Sequence, residues 1–240
     1  MDRAEEIGTA ARALVAVFLK GHPEFRAATG FLDQIQIFAV ELARWGARFN
    51  LTAAPDDPAE LAFHLLDSLM PLVLFARNPK DEFANSLAAG ERVLDLGSGA
   101  GFPGLILAAS SEAEFVLVES RRKRANFLRI AIGAMGLSNV KIDSQYRRAF
   151  VQKFDVVTAR AFARPAEFYE VAITAMKPDG IAMLYASERQ RKEIETIFGE
   201  NGQAAMFYEY EPPRIASRSN QDGDNLAKHL IVISRRREES

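Results

Sequence analysis

The chain contains no cysteine. Disulfides, thiolate metal sites and any mechanism that runs through a cysteine nucleophile are therefore excluded. Histidine is nearly as scarce. His22, His64 and His229 are too few and too scattered for a histidine-ligated metal centre. Long apolar runs are missing too, since no stretch reads as the roughly 18–20 apolar residues of a membrane span. The N-terminus, MDRAEEIGTAAR, mixes acids and bases where a secretory signal would carry an apolar core. The expectation is a cytoplasmic, monomeric protein with neither metal nor membrane. A dominant charge is also lacking, because the formal net charge is only −2. A nucleic-acid footprint would have to be a local patch.

Charge is unevenly distributed. Residues 1–90 hold 8 Lys/Arg against 12 Asp/Glu, and residues 91–240 hold 22 against 20. The basic residues come in clusters, among them Arg121-Arg122-Lys123-Arg124, Arg147-Arg148, Arg214/Arg218 and Arg235-Arg236-Arg237. Taken singly, each cluster reads as a solvated face. With 48% hydrophobic residues in 240, the chain can build one sizeable core and a small extension.

The most informative stretch is ERVLDLGSGAGFPG. Val93-Leu94-Asp95-Leu96 has the make-up of a buried parallel strand, and the glycine turn Gly97-Ser98-Gly99-Ala100-Gly101 follows it. Pro103 is placed to open a helix over Leu105–Ala109, as the first helical residue. Strand, glycine loop and helix together bring backbone N–H groups to the sheet's C-terminal edge, where open α/β sheets hold nucleotides. Gly99-x-Gly101-x-x-Gly104 matches the dinucleotide fingerprint, but that match alone is weak. Asp95 argues against a dinucleotide, because a carboxylate facing a pyrophosphate would be repelled. It suits a ligand bearing an ammonium or a sulfonium, of which S-adenosylmethionine is one.

Three helices are expected upstream. Ile7, Ala11, Leu14 and Phe18 form the stripe of the first, ended by Gly21 and Pro23. Phe31, Ile35, Phe38, Leu42, Trp45 and Phe49 form the stripe of the second. Trp45 reads as core there, with base stacking as the sharper alternative. Asp57-Pro58-Ala59-Glu60 starts the third with a capping-box variant. On it His64, Asp67 and Ser68 share one face. His64 and Asp67 are either a functional pair beside the pocket or a local hydrogen bond. Residues 1–90 thus form a helical extension, and residues 91–240 a doubly wound domain.

In that domain Phe115–Glu119 is the second strand. Glu119 lies 24 residues beyond Asp95, the offset at which a carboxylate grips ribose hydroxyls. Capping of the next helix is its alternative role, with Ser120 as the other candidate cap. Val140–Ile142 is the third strand. Phe154–Ala159 is the fourth and delivers Arg160 to the crevice, either to bind an anionic group or to pair with Asp95 or Glu119. The turn Lys177-Pro178-Asp179-Gly180 separates a helix from a fifth strand at Ile181–Tyr185, and Ser187-x-x-Gln190 is a further capping box. Ala204–Tyr210 and His229–Ser234 are the last strands, and the long loop between them carries Arg214 and Arg218.

Set side by side, these segments resemble the ribosomal RNA small subunit methyltransferase G family, also called glucose-inhibited division protein B. The resemblance rests on Arg44-Trp45 with Phe49-Asn50-Leu51-Thr52, on His64-Leu65-Leu66-Asp67-Ser68-Leu69 and on Asp95 through Gly104. Glu119-Ser120 with Lys123-Arg124 and Phe127-Leu128, then Arg160-Ala161-Phe162-Ala163, then His229 through Ile233 complete it. It implies a Rossmann-like, class I S-adenosylmethionine-dependent methyltransferase sheet, mostly parallel with an antiparallel last strand. The implied activity is methylation of N7 of one guanine in small-subunit ribosomal RNA, on free RNA or an assembled subunit.

By the same resemblance Gly97, Phe102, Arg147-Arg148 and Arg160 contact the donor, joined by Asp95, Gly99, Gly101 and Glu119 from the reading of the residues. His64, Asp67, Arg214 and Arg218 are the candidate RNA contacts. No catalytic acid, base or nucleophile is expected, because N7 carries an in-plane lone pair and no proton. Two stretches depart from the family pattern. Arg147-Arg148-Ala149 stands where an acidic run is usual, and Ala186-Ser187-Glu188 where a Lys-Gly is. A small-molecule methyltransferase and a catalytically inactive RNA-binding module of the same fold are the alternatives.

Overall fold

A computed structural model describes residues 2–78, 80, 87–145, 149–162, 164–200, 205–211, 213, 215 and 229–235. Arg147, Arg148, Arg214 and Arg218 lie outside the described residues, so their expected contacts are not placed.

Three helices come first: α1 (Arg3–Lys20), α2 (Phe31–Phe49) and α3 (Pro58–Arg77). Strands and helices then alternate as β1 (Arg92–Leu96), α4 (Gly104–Ala109), β2 (Glu114–Val118), α5 (Arg122–Met135) and β3 (Val140–Asp143). β4 (Phe154–Arg160), α6 (Pro165–Ala175), β5 (Met176–Ser187), α7 (Arg191–Glu200), β6 (Ala205–Tyr210) and β7 (His229–Arg235) complete the chain. The sheet order is β3-β2-β1-β4-β5-β7-β6, with β7 antiparallel to both of its neighbours. The order reverses between β1 and β4, which opens a crevice at their C-terminal ends.

Alternation along the strands sends side chains to two cores. Val93, Phe115, Leu117, Val156 and Met183 join Ile35, Phe38, Leu65, Leu105 and Phe127 from α2–α5. Leu94, Leu96, Val157, Ala159 and Leu184 join Phe168, Ala172, Ile194 and Phe198 from α6 and α7. α1 and α3 belong to the first layer, and α3 has hardly any exposed face. By length and composition alone α3 could cross a membrane, but 72% of its apolar window is buried inside the protein. The sequence reading missed this segment because His64, Asp67 and Ser68 interrupt its apolar run.

Several local expectations shift. Asp57 caps α3 through Ala59 N–H at 2.8 Å, while Glu60 turns to His64 instead of closing the box. Pro103 stands just before α4, not as its first residue. Neither Ser120 nor Glu119 caps α5, whose N-cap is Arg121 with no side-chain cap bond; Glu119 instead accepts from Arg121 N–H at 2.7 Å, just ahead of the helix. Lys177–Gly180 does not separate α6 from β5 but lies inside β5. The pairing jumps from Phe154↔Met176 to Val156↔Ile181, so these turn-prone residues form an irregularity within one strand.

α4 sits almost on top of β1. A Cβ at Gly104 would lie 2.5 Å from Asp95 Oδ2 and 2.6 Å from Leu117 Cδ2. Glycine to alanine normally favours a helix by about 1 kcal/mol, but here the contact decides the sign. Gly104→Ala is expected to cost about 1–3 kcal/mol and to lower the melting temperature, read by thermal unfolding.

Candidate active site

β1 ends at the glycine loop. Gly97 and Ser98 N–H groups both donate to the Val118 carbonyl, at 2.9 and 3.0 Å, which folds the loop onto the end of β2. Gly97, Gly99 and Gly101 all have positive φ. Gly97 is constrained twice over, because a Cβ there would meet the Phe162 ring at 2.6 Å. Phe162 follows Ala161, itself at φ +52°, where the chain turns sharply out of β4 and lays the ring on the loop.

Glu119 is buried at the end of β2 and ties three segments together. Oε2 accepts from Gly99 N–H at 3.0 Å, and Oε1 accepts from Arg121 N–H. The carboxylate thus braces the turn ahead of α5 without capping the helix, so the capping alternative of the sequence reading does not hold. The same carboxylate borders the crevice, with lone pairs left over for hydroxyl donors.

Asp95 has no solvent exposure. Gly104 N–H donates to its Oδ2 at 3.3 Å, while its Oδ1 has no hydrogen-bond partner among the described residues. Thr158, its register neighbour on β4, is equally buried, and its Oγ1 likewise lacks a partner among the described residues. Burial pushes the Asp95 carboxyl up to about 6, against the pull of the Ser98 hydroxyl, Gly104 N–H and Arg160. A buried carboxylate oxygen of this kind fits an ammonium- or sulfonium-bearing ligand, which would hold the acid in its charged form.

Arg160 leaves β4 on the same face. Neither Asp95 nor Glu119 is its ion-pair partner; Asp67 of α3 is, accepting from Nη1 at 2.9 Å. The guanidinium lies 5.0 Å from the centroid of Phe102, and its Nη2 is 3.3 Å from His64 Nδ1. With Nδ1 facing a donor, the neutral imidazole carries its proton on Nε2, which faces Glu60 Oε1 at 3.2 Å. Asp67 also accepts from the Tyr210 hydroxyl at 2.8 Å, and Tyr185 donates to the Ser68 carbonyl at 2.7 Å. Burial first, then Asp67, raises both tyrosines above their ordinary range.

His64 and Asp67 therefore do not hydrogen-bond to each other; both stand beside the crevice, against Arg160. They converge separately on Arg160 and lock α3 to the sheet. Sequence reasoning missed Thr158, Phe162, Tyr185 and Tyr210. The signal for Thr158, Tyr185 and Tyr210 was their place at or near the ends of strands β4, β5 and β6, and Phe162 also stood in the Arg160–Ala163 segment of the family resemblance. Trp45 is half-buried, stacked on Phe49 and bonded to Glu41, as a packing residue would be.

A family model described as rRNA small subunit methyltransferase G matches residues 32–209. The chain is 33% identical over 168 residues to the ribosomal RNA small subunit methyltransferase G of an Acidovorax species, covering 69% of this chain and 74% of that one. It is 34% identical over 176 residues to the protein of the same name from Nitrosococcus oceani, covering 69% and 75%. Among solved structures it resembles a ribosomal protein L11 methylase from Lactobacillus delbrueckii subsp. bulgaricus, with TM-score 0.53, 14% identity and coverages of 72% and 79%. A precorrin-6y C5,15-methyltransferase from Geobacter metallireducens gives TM-score 0.50, 11% identity and coverages of 63% and 84%. The two structural likenesses are of fold alone.

Proposed function

The chain belongs to the rRNA small subunit methyltransferase G family, and from that premise we propose that it methylates N7 of one guanine in small-subunit ribosomal RNA, using S-adenosylmethionine. The observation that carries the donor assignment is the unanswered, fully buried carboxylate oxygen of Asp95 under a three-glycine loop.

When bound, the donor supplies a methyl group on a sulfonium, open to in-line attack by a lone pair. The chain's own residues bind and align. Asp95 answers the cationic end, and the glycine loop lets the backbone come close. Glu119 accepts from ribose hydroxyls while bracing the loop. Phe102 and Arg160 form one wall, held in place by Asp67 and His64. Arg147 and Arg148 belong to the site by family resemblance. Since N7 has no proton to lose, alignment is the main requirement, and proximity alone can supply roughly 7–11 kcal/mol. In this reading residues 91–240 hold the donor. Residues 1–90 act as an extension whose α3 fixes Arg160. In this reading the enzyme works in the cytoplasm, where its ribosomal RNA substrate is, and acts as a monomer.

The test is mass-spectrometric mapping of methylated guanines in ribosomal RNA from cells with and without this protein. One N7-methylguanine is expected to vanish from the small-subunit RNA and to return with the wild-type chain but not with Gly97→Asp, whose side chain collides with Phe162. An unchanged map would overturn the proposal.

A further inference from the structure

The first turn of α5 carries a charge arrangement that its own helix disfavours. Arg121 caps the helix without a side-chain bond, and Arg122, Lys123 and Arg124 follow with no acid in that turn. This is the positive end of the helix dipole, so four cations repel the exposed N–H groups as well as one another. Among the described residues none of the four makes an ion pair with an acid. A merely solvated face would be interlaced with carboxylates, as the outer faces of α1 and α2 are by Arg12–Asp33 and Arg44–Glu41.

Position adds to composition. Arg124 donates to the Asn50 carbonyl at 3.3 Å, and its Nη1 lies 3.8 Å from where a Gly99 Cβ would be. The cluster therefore flanks the glycine loop, against the end of α2. Two residues before Asn50, exposed Arg48 stands over the Trp45 ring at 5.5 Å. The opposite edge of the sheet is mixed in sign: Glu91, Glu112, Glu114, Asp155 and Asp179 lie at or near the strand starts together with Arg92, Lys141 and Lys153, and Lys177 is bound to Asp155.

We propose that Arg48 and Arg121–Arg124 form the surface on which the phosphates of the substrate RNA dock, placing a polyanion beside the donor crevice. This rests on the function proposed above and specifies where the RNA lies. Cations that touch phosphates set affinity and its salt dependence without reading bases.

The experiment measures filter binding of small-subunit ribosomal RNA across a salt series, for wild type and Arg122→Ala/Lys123→Ala, with the donor Kd of each protein measured alongside. Loss of two phosphate contacts is expected to weaken RNA binding at every salt concentration. It should also flatten the log–log salt slope by about two. Donor Kd should stay unchanged. A control variant, Arg3→Ala/Lys20→Ala, removes the same charge from α1 and should bind like wild type. Equal weakening in both double variants would make the effect one of net charge and overturn the proposal, as would a wild-type slope in Arg122→Ala/Lys123→Ala. Binding is read without turnover, so a wild-type protein that leaves the guanine unmethylated would defeat the functional reading and not this one.

Discussion

Replacing Asp67 with alanine is expected to destabilise the protein by about 3–5 kcal/mol. The carboxylate is almost fully buried and accepts from Arg160 Nη1 and from the Tyr210 hydroxyl. Its removal strands a guanidinium whose side chain is only 17% exposed. The remaining hydrogen bonds of Arg160 are to the His64 carbonyl and ring, and neither supplies an opposite charge. Leaving a buried cation unpaired costs more than never having had the pair. A double-mutant cycle in urea checks the cause. Asp67→Ala/Arg160→Met should lose less stability than the two single changes summed, because it removes the orphaned charge with its partner. Additive losses would show that Asp67 acts on packing alone. Donor affinity should fall in Asp67→Ala as well, since Arg160 would no longer be held against Phe102.

That network shows where reading the sequence stops. The stripe of α2 and the glycine turn after β1 were legible because each is set by neighbours within a few residues. The partnership of Asp67 with Arg160 spans 93 residues, and that with Tyr210 spans 143. Helical spacing puts His64 and Asp67 on one face but cannot say what that face meets. It was β4, which delivered Arg160 to a strand end whose partner on α3 only the tertiary structure supplies. Lys177–Gly180 failed differently. Its turn chemistry was read correctly, but the same backbone preferences serve an irregularity inside a strand. Glu119 does not cap α5, as its alternative role would have it; it ties Gly99 to the turn before the helix and borders the crevice, contacts that sequence spacing does not show.

Asp95→Asn should separate stability from binding. In the unfolded chain this carboxyl titrates near 3.9, and in the folded protein burial pushes it up to about 6. Between those values the folded state holds a proton that the unfolded state has released. Stability therefore falls as pH rises through the window, and above pH 6 the full penalty applies, about 3 kcal/mol. Asparagine is never charged, and its amide can keep the bond from Gly104 N–H while offering a donor toward Thr158. The variant is thus expected to melt higher than wild type at pH 7.5 and to lose that advantage as pH drops from about 6 to about 4. Donor binding should move the other way. Losing a hydrogen bond to a charged group costs about 1.5–3 kcal/mol, roughly a ten- to hundredfold rise in Kd. In wild type the affinity should decline as pH falls below about 6, where Asp95 takes up its proton, and in the variant this dependence should be absent. Calorimetric titration of both proteins across pH 5–8 reads the affinities, and thermal unfolding across pH 3.5–8 reads the stabilities. Wild-type affinity in the variant would mean the donor's charge is answered elsewhere. Weakened binding with no gain in stability would mean the carboxylate already has a partner in the free protein. The expected pattern, a protein made more stable and less able to bind by one atom's change, follows from keeping a buried charge unanswered until a cation arrives.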